Sequence, residues 1–217
     1  MGRLARSPTV ETLALIAIVF SLQQFAGLVG SFVGLGGFGI AFFALGPPLA
    51  VAPWTLVTSV YAHASLAHLL SNAFALVVVG LVVETVTTRA RFHLFFLLTG
   101  VLAGLTQVLV GGFVGSPAGV LGASGAILAL VGYVLAANPL SETILDRLRL
   151  RRRAQLGVFV ALALLVTFVT GTAGAALVAH FTGLLLGLLA GRLEVLHTDG
   201  DDGSSGPRRP ETSAERL

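Results

Sequence analysis

The sequence has 217 residues, of which 55% are hydrophobic and only 11% are charged, whereas soluble domains have about 25% charged residues. With a mean hydropathy of +0.94, this composition excludes an ordinary soluble globular protein. Cysteine is absent, which excludes disulfides, thiol nucleophiles, iron–sulfur clusters and cysteine-ligated zinc. The net charge of +3 is informative mainly through the positions of the arginines.

Three long segments contain no charged residue, namely 12–83, 92–141 and 154–191. A bilayer-spanning helix needs about 20 mostly apolar residues, so each segment is long enough for two spans and a connection. All 13 basic residues are arginines and lie outside these segments. Because arginine in short loops is retained on the cytoplasmic side, six spans with cytoplasmic N- and C-termini account for every arginine.

In chain order, the sequence predicts one all-α membrane domain over 1–197, a six-transmembrane-helix bundle. We expect the first span to be retained, because its apolar run has no clear small-residue cleavage site. The Gly- and Pro-rich stretch at about 33–58 predicts an irregular segment partly immersed in the outer leaflet. The polar composition of 198–217 predicts a disordered cytoplasmic tail. The predicted spans are about 12–32, 63–83, 92–110, 120–137, 155–170 and 175–191.

Polar side chains inside the predicted spans are the candidate functional residues, because such groups are costly in a bilayer. Spans two, four and six run from outside to inside, and they place His68, Asn72, Ser124 and His180 roughly 8 Å below the outer surface at 1.5 Å per residue. His63 lies nearer the outer end and about 140° around the helix from His68. We interpret His63 as a structural residue that ties the preceding loop to span two.

Ser124 lies in the sequence Gly-Ala-Ser-Gly at 122–125, near a predicted helix start. Between Gly122 and Gly125 its hydroxyl would be exposed, and the N–H groups of a helix N-terminus suit a developing oxyanion. Close packing of small residues is the alternative interpretation of this motif.

His180 stands one position from a face of small residues, of which Gly183 and Gly187 are two. If span four packs on that face, His180 can reach Ser124 and act as its base, whereas a lone histidine could simply bond a carbonyl. His68 and Asn72 are four residues apart, so they share a helix face. Both can donate hydrogen bonds to an oxyanion, or they could form a polar clamp between helices.

The positions of the acidic residues exclude several classes of catalytic site. Every Asp and Glu maps to the cytoplasmic edge or to the terminal segments, so no carboxylate is available for a Ser-His-Asp triad. The two membrane-embedded aspartates of an aspartyl protease are missing, and no HExxH-type motif occurs. A Ser-His dyad is the remaining arrangement, and we expect no metal and no other cofactor.

Taken together, these motifs resemble the rhomboid intramembrane serine proteases in their basic six-helix prokaryotic form, over about 54–191. The resemblance implies a nucleophile at Ser124, a general base at His180, and an oxyanion hole formed by His68, Asn72 and the Ser124 backbone N–H. The matching residues are His63, His68 and Asn72 in HxxxxHxxxN, Gly122, Ser124 and Gly125 in GxSG, and Ala179, His180, Gly183 and Gly187 in AHxxGxxxG.

The chain departs from the family pattern at two positions. Many members have Trp-Arg in the first loop, whereas here Trp54 is followed by Thr55. Many also have an aromatic residue four positions after the serine, where this chain has Leu128, so we expect apolar packing alone to orient His180. Phe168, near the outer end of span five, is the candidate gate residue.

The resulting expectation is an intramembrane serine endopeptidase of a prokaryotic plasma membrane, acting on transmembrane proteins and with no nucleic-acid partner. A non-catalytic rhomboid-like protein that binds membrane helices is the first alternative, although it would tolerate loss of Ser124 or His180. A haem protein with His68 and His180 as axial ligands leaves Ser124 and Asn72 unexplained. A transporter would usually show repeats or membrane-embedded charges, and the sequence shows neither.

Overall fold

A computed structural model describes residues 7–115, 119–138, 151–170 and 176–198, which form eight α-helices. The all-α fold class is confirmed, since the only extended pairing in these ranges is a bridge between Leu45 and Val120. The connection at 171–174 between the fifth and sixth predicted spans and the predicted tail from residue 199 onward lie outside the described residues. The helices are α1 (Pro8–Phe32), α2 (Phe38–Phe43), α3 (Thr55–Tyr61), α4 (Leu66–Val83), α5 (Arg89–Phe113), α6 (Ser124–Ala136), α7 (Arg152–Thr170) and α8 (Leu177–Arg192).

Three of these helices, α1, α4 and α5, are long and apolar enough to cross a membrane. The apolar parts of α6, α7 and α8 are shorter. With 13 residues, α6 is about 20 Å long at 1.5 Å per residue, whereas the hydrocarbon core of a bilayer is about 30 Å thick. An α6 that lies across the membrane therefore has at least one end inside the hydrocarbon region.

Helix α4 begins later than the sequence predicts. Ser65 is its N-cap, and the Ser65 Oγ accepts a hydrogen bond of 3.2 Å from the His68 N–H, as capping serines typically do. The helix therefore starts at Leu66, and His63 precedes it instead of lying within a span that covers 63–83. His63, predicted as a structural residue, is thus part of the segment between α3 and α4.

Helix α6 also begins later than predicted, at Ser124 and not near residue 120. Gly122 has a φ of +129°, which favours glycine and is incompatible with a helix. Just before it, the Val120 and Leu45 backbones exchange two hydrogen bonds of 2.8 Å. Ser124 is consequently the first residue of its helix, and not a residue about one and a half turns inside it.

The segment between α1 and α4 is irregular, as predicted, and contains only the two short helices α2 and α3. Its end is attached to α1 by Gln23, whose side chain is 1% exposed. The Gln23 Nε2 donates to the His63 carbonyl at 3.0 Å, and the Gln23 Oε1 accepts from the His63 N–H at 3.1 Å. These paired hydrogen bonds fix the chain directly before α4 begins.

Glycines bring α6 and α8 into direct backbone contact. A Cβ added at Gly183 would overlap the Gly125 carbonyl oxygen, and one added at Gly187 would overlap the Ala129 carbonyl oxygen. Close approach of this kind is typical of small residues at helix interfaces in membranes. The contact places the beginning of α6 beside the first turns of α8.

We expect Gly183→Ala to lower the free energy of unfolding by about 1–3 kcal/mol, because overpacking forces the two backbones apart. Gly157→Ala in α7 is the matched control, since no atom of the described residues beyond its own stretch of helix backbone lies within 4 Å of a Cβ added there. The control should be neutral or slightly stabilising, because alanine is favoured over glycine in helices by about 1 kcal/mol. Denaturant unfolding in micelles measures both, and equal stability of the two variants would contradict the packing argument.

Candidate active site

A polar contact between α6 and α8 joins Ser124 to His180. The Ser124 Oγ lies 2.9 Å from the His180 Nε2, although the residues are 56 positions apart in the sequence. Ser124 is the first residue of α6 and His180 is the fourth of α8. At this distance the two groups are within hydrogen-bonding range, and the hydroxyl can donate to the Nε2 of a neutral imidazole that carries its hydrogen on Nδ1.

The other ring nitrogen of His180 lacks an acidic partner. Its Nδ1 is buried and has no hydrogen-bond partner in the part of the chain that the structure describes. Glu11 instead binds Arg89 at 2.7 Å, and Glu84 accepts from the Ser7 hydroxyl at 2.6 Å. Within the described ranges, the arrangement is therefore a pair without the carboxylate of a triad.

His68, the third residue of α4, borders the loop that leads to Ser124. A Cβ added at Gly122 would lie 2.8 Å from the His68 Cε1 and 3.1 Å from its Nε2. The Gly122 N–H donates to the Ser59 carbonyl at 2.8 Å, which holds this loop in place. The absence of a side chain at Gly122 thus allows the half-buried His68 ring to approach the chain two residues before Ser124.

Asn72 is buried one turn further along α4. Its Nδ2 donates to the His68 carbonyl at 2.9 Å, and the structure describes no hydrogen bond from it to Ser124 or His180. An amide group has two N–H donors, so this bond uses one of them. The structure therefore brings Ser124 and His180 into contact and places His68 nearby, while Asn72 is bonded within its own helix.

His63 is completely buried and packs edge-on against His68, with 5.0 Å between the ring centroids. Its Nδ1 lies 3.0 Å from the Tyr61 carbonyl oxygen. Because a carbonyl can only accept, this nitrogen carries the hydrogen. The backbone bonds to Gln23 and the ring contact make His63 a link between α1 and the candidate site.

Comparison with known protein families adds an independent observation. The model of the family described as "Rhomboid domain" matches residues 51–196. The chain belongs to the rhomboid family. Rhomboid protease GluP of Bacillus subtilis (strain 168) is 38% identical over 82 residues, which cover 38% of this chain and only 15% of GluP. The chain also has three long apolar helices. This observation and its family membership indicate an integral membrane protein.

Two polar residues of α5 that the sequence analysis did not predict contact α8 beside the candidate site. The Gln107 Oε1 accepts hydrogen bonds from the backbone N–H groups of Val178 and Ala179 at 3.1 and 3.2 Å. The hydroxyl oxygens of Thr106 and Thr182 lie 3.0 Å apart. The sequence does carry a signal for them, because Thr106 and Gln107 are adjacent polar residues inside a mostly apolar span.

The structure also locates the departures from the rhomboid pattern. The Thr55 hydroxyl donates to the Ala52 carbonyl at 2.6 Å, and the Trp54 indole N–H donates to the Phe42 carbonyl at 3.0 Å, so both side chains bond within the irregular segment. Leu128 packs against the apolar cluster between α6, α7 and α8. The side chain of the candidate gate Phe168 lies outside the described residues.

A small cavity adjoins Ser124 in this rhomboid fold. It has a volume of about 20 Å³, and Ser59, Ala103, Gly122 and Ala176 are among its lining residues. One water molecule needs roughly 10–15 Å³ of such space, so the cavity has room for a single water beside the hydroxyl. In the described ranges, no group of three or more His, Asp or Glu residues could hold a metal ion.

Proposed function

We propose that the chain is a serine-type endopeptidase that hydrolyses peptide bonds in or next to transmembrane segments of other membrane proteins. The observation that carries the proposal is the 2.9 Å contact between the Ser124 Oγ and the His180 Nε2. Membership of the rhomboid family and the similarity to a rhomboid protease support it.

In the proposed reaction His180 takes the Ser124 proton as Oγ attacks the substrate carbonyl carbon. The tetrahedral intermediate then collapses, His180 gives the proton to the leaving amine, and the carbonyl carbon stays bonded to Oγ as an ester. A water molecule hydrolyses this ester with His180 again acting as base, which regenerates the serine. General-base catalysis of this type contributes about 10²- to 10⁴-fold to the rate.

The negative oxygen of the intermediate needs hydrogen-bond donors close to Ser124. The first N–H groups of a helix have no acceptor inside it, and Ser124 is the first residue of α6. We propose that the Ser124 N–H, the His68 ring and the second Nδ2 hydrogen of Asn72 form the oxyanion hole. The position of His68 against Gly122 supports its part in this site.

A substrate helix must unwind locally before Ser124 can attack it, because helical carbonyls are occupied by hydrogen bonds. We therefore expect cleavage near Gly or Pro in the substrate helix, where unwinding costs less, with a small residue at the cleaved bond. The substrates are accordingly transmembrane proteins within the same bilayer.

The proposed topology has six spans, formed by α1, α4, α5, α6, α7 and α8, in a prokaryotic plasma membrane with cytoplasmic N- and C-termini. Two contacts support placing both ends on one side. The Ser7 hydroxyl donates to Glu84 at 2.6 Å, and the Thr198 N–H donates to the Val86 carbonyl at 3.2 Å. Both described ends therefore meet the turn between α4 and α5, which Arg89 directly follows.

A fluorophosphonate probe tests the proposal, because it labels only serines that an adjacent base activates. We expect the native chain in liposomes to be labelled on the peptide that contains Ser124, as identified by mass spectrometry, and Ser124→Ala to show no labelling. Ser21→Ala, at an exposed serine of α1, is the matched control and should be labelled like the native chain. Labelling of Ser124→Ala at the native level, or none of the native chain in either liposomes or detergent, would overturn the proposal and favour a helix-binding protein.

A further inference from the structure

The first turn of α8 is capped from another helix. Its own N-cap position is Ala176, which provides no side-chain hydrogen bond. The N–H groups that an N-cap side chain normally binds are those of the second and third helical residues, here Val178 and Ala179. Both donate to the Gln107 Oε1 of α5 at 3.1 and 3.2 Å. Gln107, which lies 71 residues before Val178 in the sequence, thus takes the place of a local N-cap side chain.

The capped turn carries His180. This residue directly follows Ala179, and its own N–H donates to the Ala176 carbonyl at 3.0 Å, which closes the same turn. Two residues later, the Thr182 hydroxyl oxygen lies 3.0 Å from that of Thr106. Adjacent residues of α5 therefore contact α8 on both sides of His180 in the sequence.

We propose that Gln107 is a positioning residue, whose side-chain oxygen holds the first turn of α8 where His180 meets Ser124. The inference rests on the proposed function of the Ser124–His180 pair. Gln107 acts through two backbone amides and touches neither reacting atom. Its effect on the rate follows because a displacement of about 1 Å in a catalytic group can cost 100-fold, and the His180 Nδ1 has no described partner that would fix the ring instead.

Gln107→Leu removes the acceptor at similar size, whereas Gln107→Glu retains an oxygen and adds a negative charge, which is favourable at a helix N-terminus. We expect the leucine variant to lower kcat and the rate of Ser124 labelling by about 10- to 100-fold with KM within about twofold. The glutamate variant should recover labelling to within a few-fold of the native chain. Gln24→Leu, the same change at an exposed position of α1, is the matched control and should leave labelling unchanged.

A purely structural role predicts a different pattern, in which the leucine variant unfolds more easily but its folded fraction is labelled at the native rate. That pattern would overturn the inference, as would failure of the glutamate variant to recover labelling while it folds. If the leucine variant does not fold, Gln107→Asn, whose side chain is one methylene shorter, takes its place with the same expectation. A native chain that is not labelled at all would instead overturn the proposed function, and the positioning role with it.

Amide hydrogen exchange tests the cap itself without any need for activity. In a Ser124→Ala background we expect the Val178 and Ala179 amides to exchange at least tenfold faster when Gln107 is also replaced by leucine. The additional Gln24→Leu change should leave their exchange rates as they are. If both amides exchange at an unchanged rate in the Gln107→Leu variant, Gln107 does not cap α8 and the inference is wrong. This result is independent of the proposed function, which labelling of the native chain tests.

Discussion

Replacing His180 by alanine should lower the rate of peptide hydrolysis by about 10²- to 10⁴-fold, because Ser124 then loses the base that takes its proton. Ser124→Ala should lower the rate at least as far, because the nucleophile itself is lost, and should leave only the residual rate that the rest of the site supports. The double variant should be no less active than Ser124→Ala alone, because residues that act as one unit give strongly non-additive effects. The 2.9 Å contact between the two side chains is the structural reason to treat them as one unit.

Single-turnover cleavage of a transmembrane peptide in liposomes measures these rates. His197→Ala is the matched control, since this exposed histidine lies beyond the end of α8, and it should cleave at the native rate. Cleavage by His180→Ala at more than a tenth of the native rate would contradict its role as the base. A double variant clearly slower than Ser124→Ala would show that the two residues act separately.

The second large effect is expected at the oxyanion hole, where His68→Ala should lower kcat by about 10²- to 10³-fold. Loss of one donor to a developing oxyanion typically has this size. KM should change little, because the donor acts on the charge of the intermediate and not on the bound substrate. Steady-state cleavage of the same peptide separates the two constants, and a change confined to KM would place His68 in substrate binding.

Asn72→Ala distinguishes the oxyanion role of Asn72 from that of a polar clamp. If Asn72 forms part of the oxyanion hole, the alanine variant has a lower kcat. If Asn72 only forms a polar clamp between helices, the variant has a lower free energy of unfolding and an unchanged kcat. The Asn72 Nδ2 also donates to the His68 carbonyl. Part of the expected loss of kcat therefore comes from a change in the position of His68. Unfolding and cleavage are therefore to be measured on the same preparation.

The grouping of site residues was predictable even though the helix starts were not. His68, Ser124 and His180 are the third, first and fourth residues of their helices, so each lies near the beginning of its helix, while the common layer that they would share with Asn72 stays a prediction. The starts themselves depend on Ser65 as a cap and on the backbone conformation of Gly122, which hydropathy does not reveal.

The roles of Gln23 and Gln107 could not be derived from the sequence for a different reason. Each glutamine binds backbone groups of a segment 40 to 72 residues away. Hydrophobic periodicity locates helices, but it carries no information on which helix satisfies the free N–H groups of another. A rule that treats every uncharged polar residue in a span as a site candidate would have found both.

The contact between α6 and α8 sets the separation of Ser124 and His180 with main-chain atoms. Gly183 meets the Gly125 carbonyl directly, so at this crossing backbone atoms, and not a side chain, limit how closely the two helices approach. We therefore expect substitutions at positions away from this crossing, such as Leu128, to change the spacing of the pair less than a side chain at Gly183 would, which makes them the better starting points for directed evolution towards new substrates. Gly125 and Gly183 themselves are the positions that a library should leave untouched.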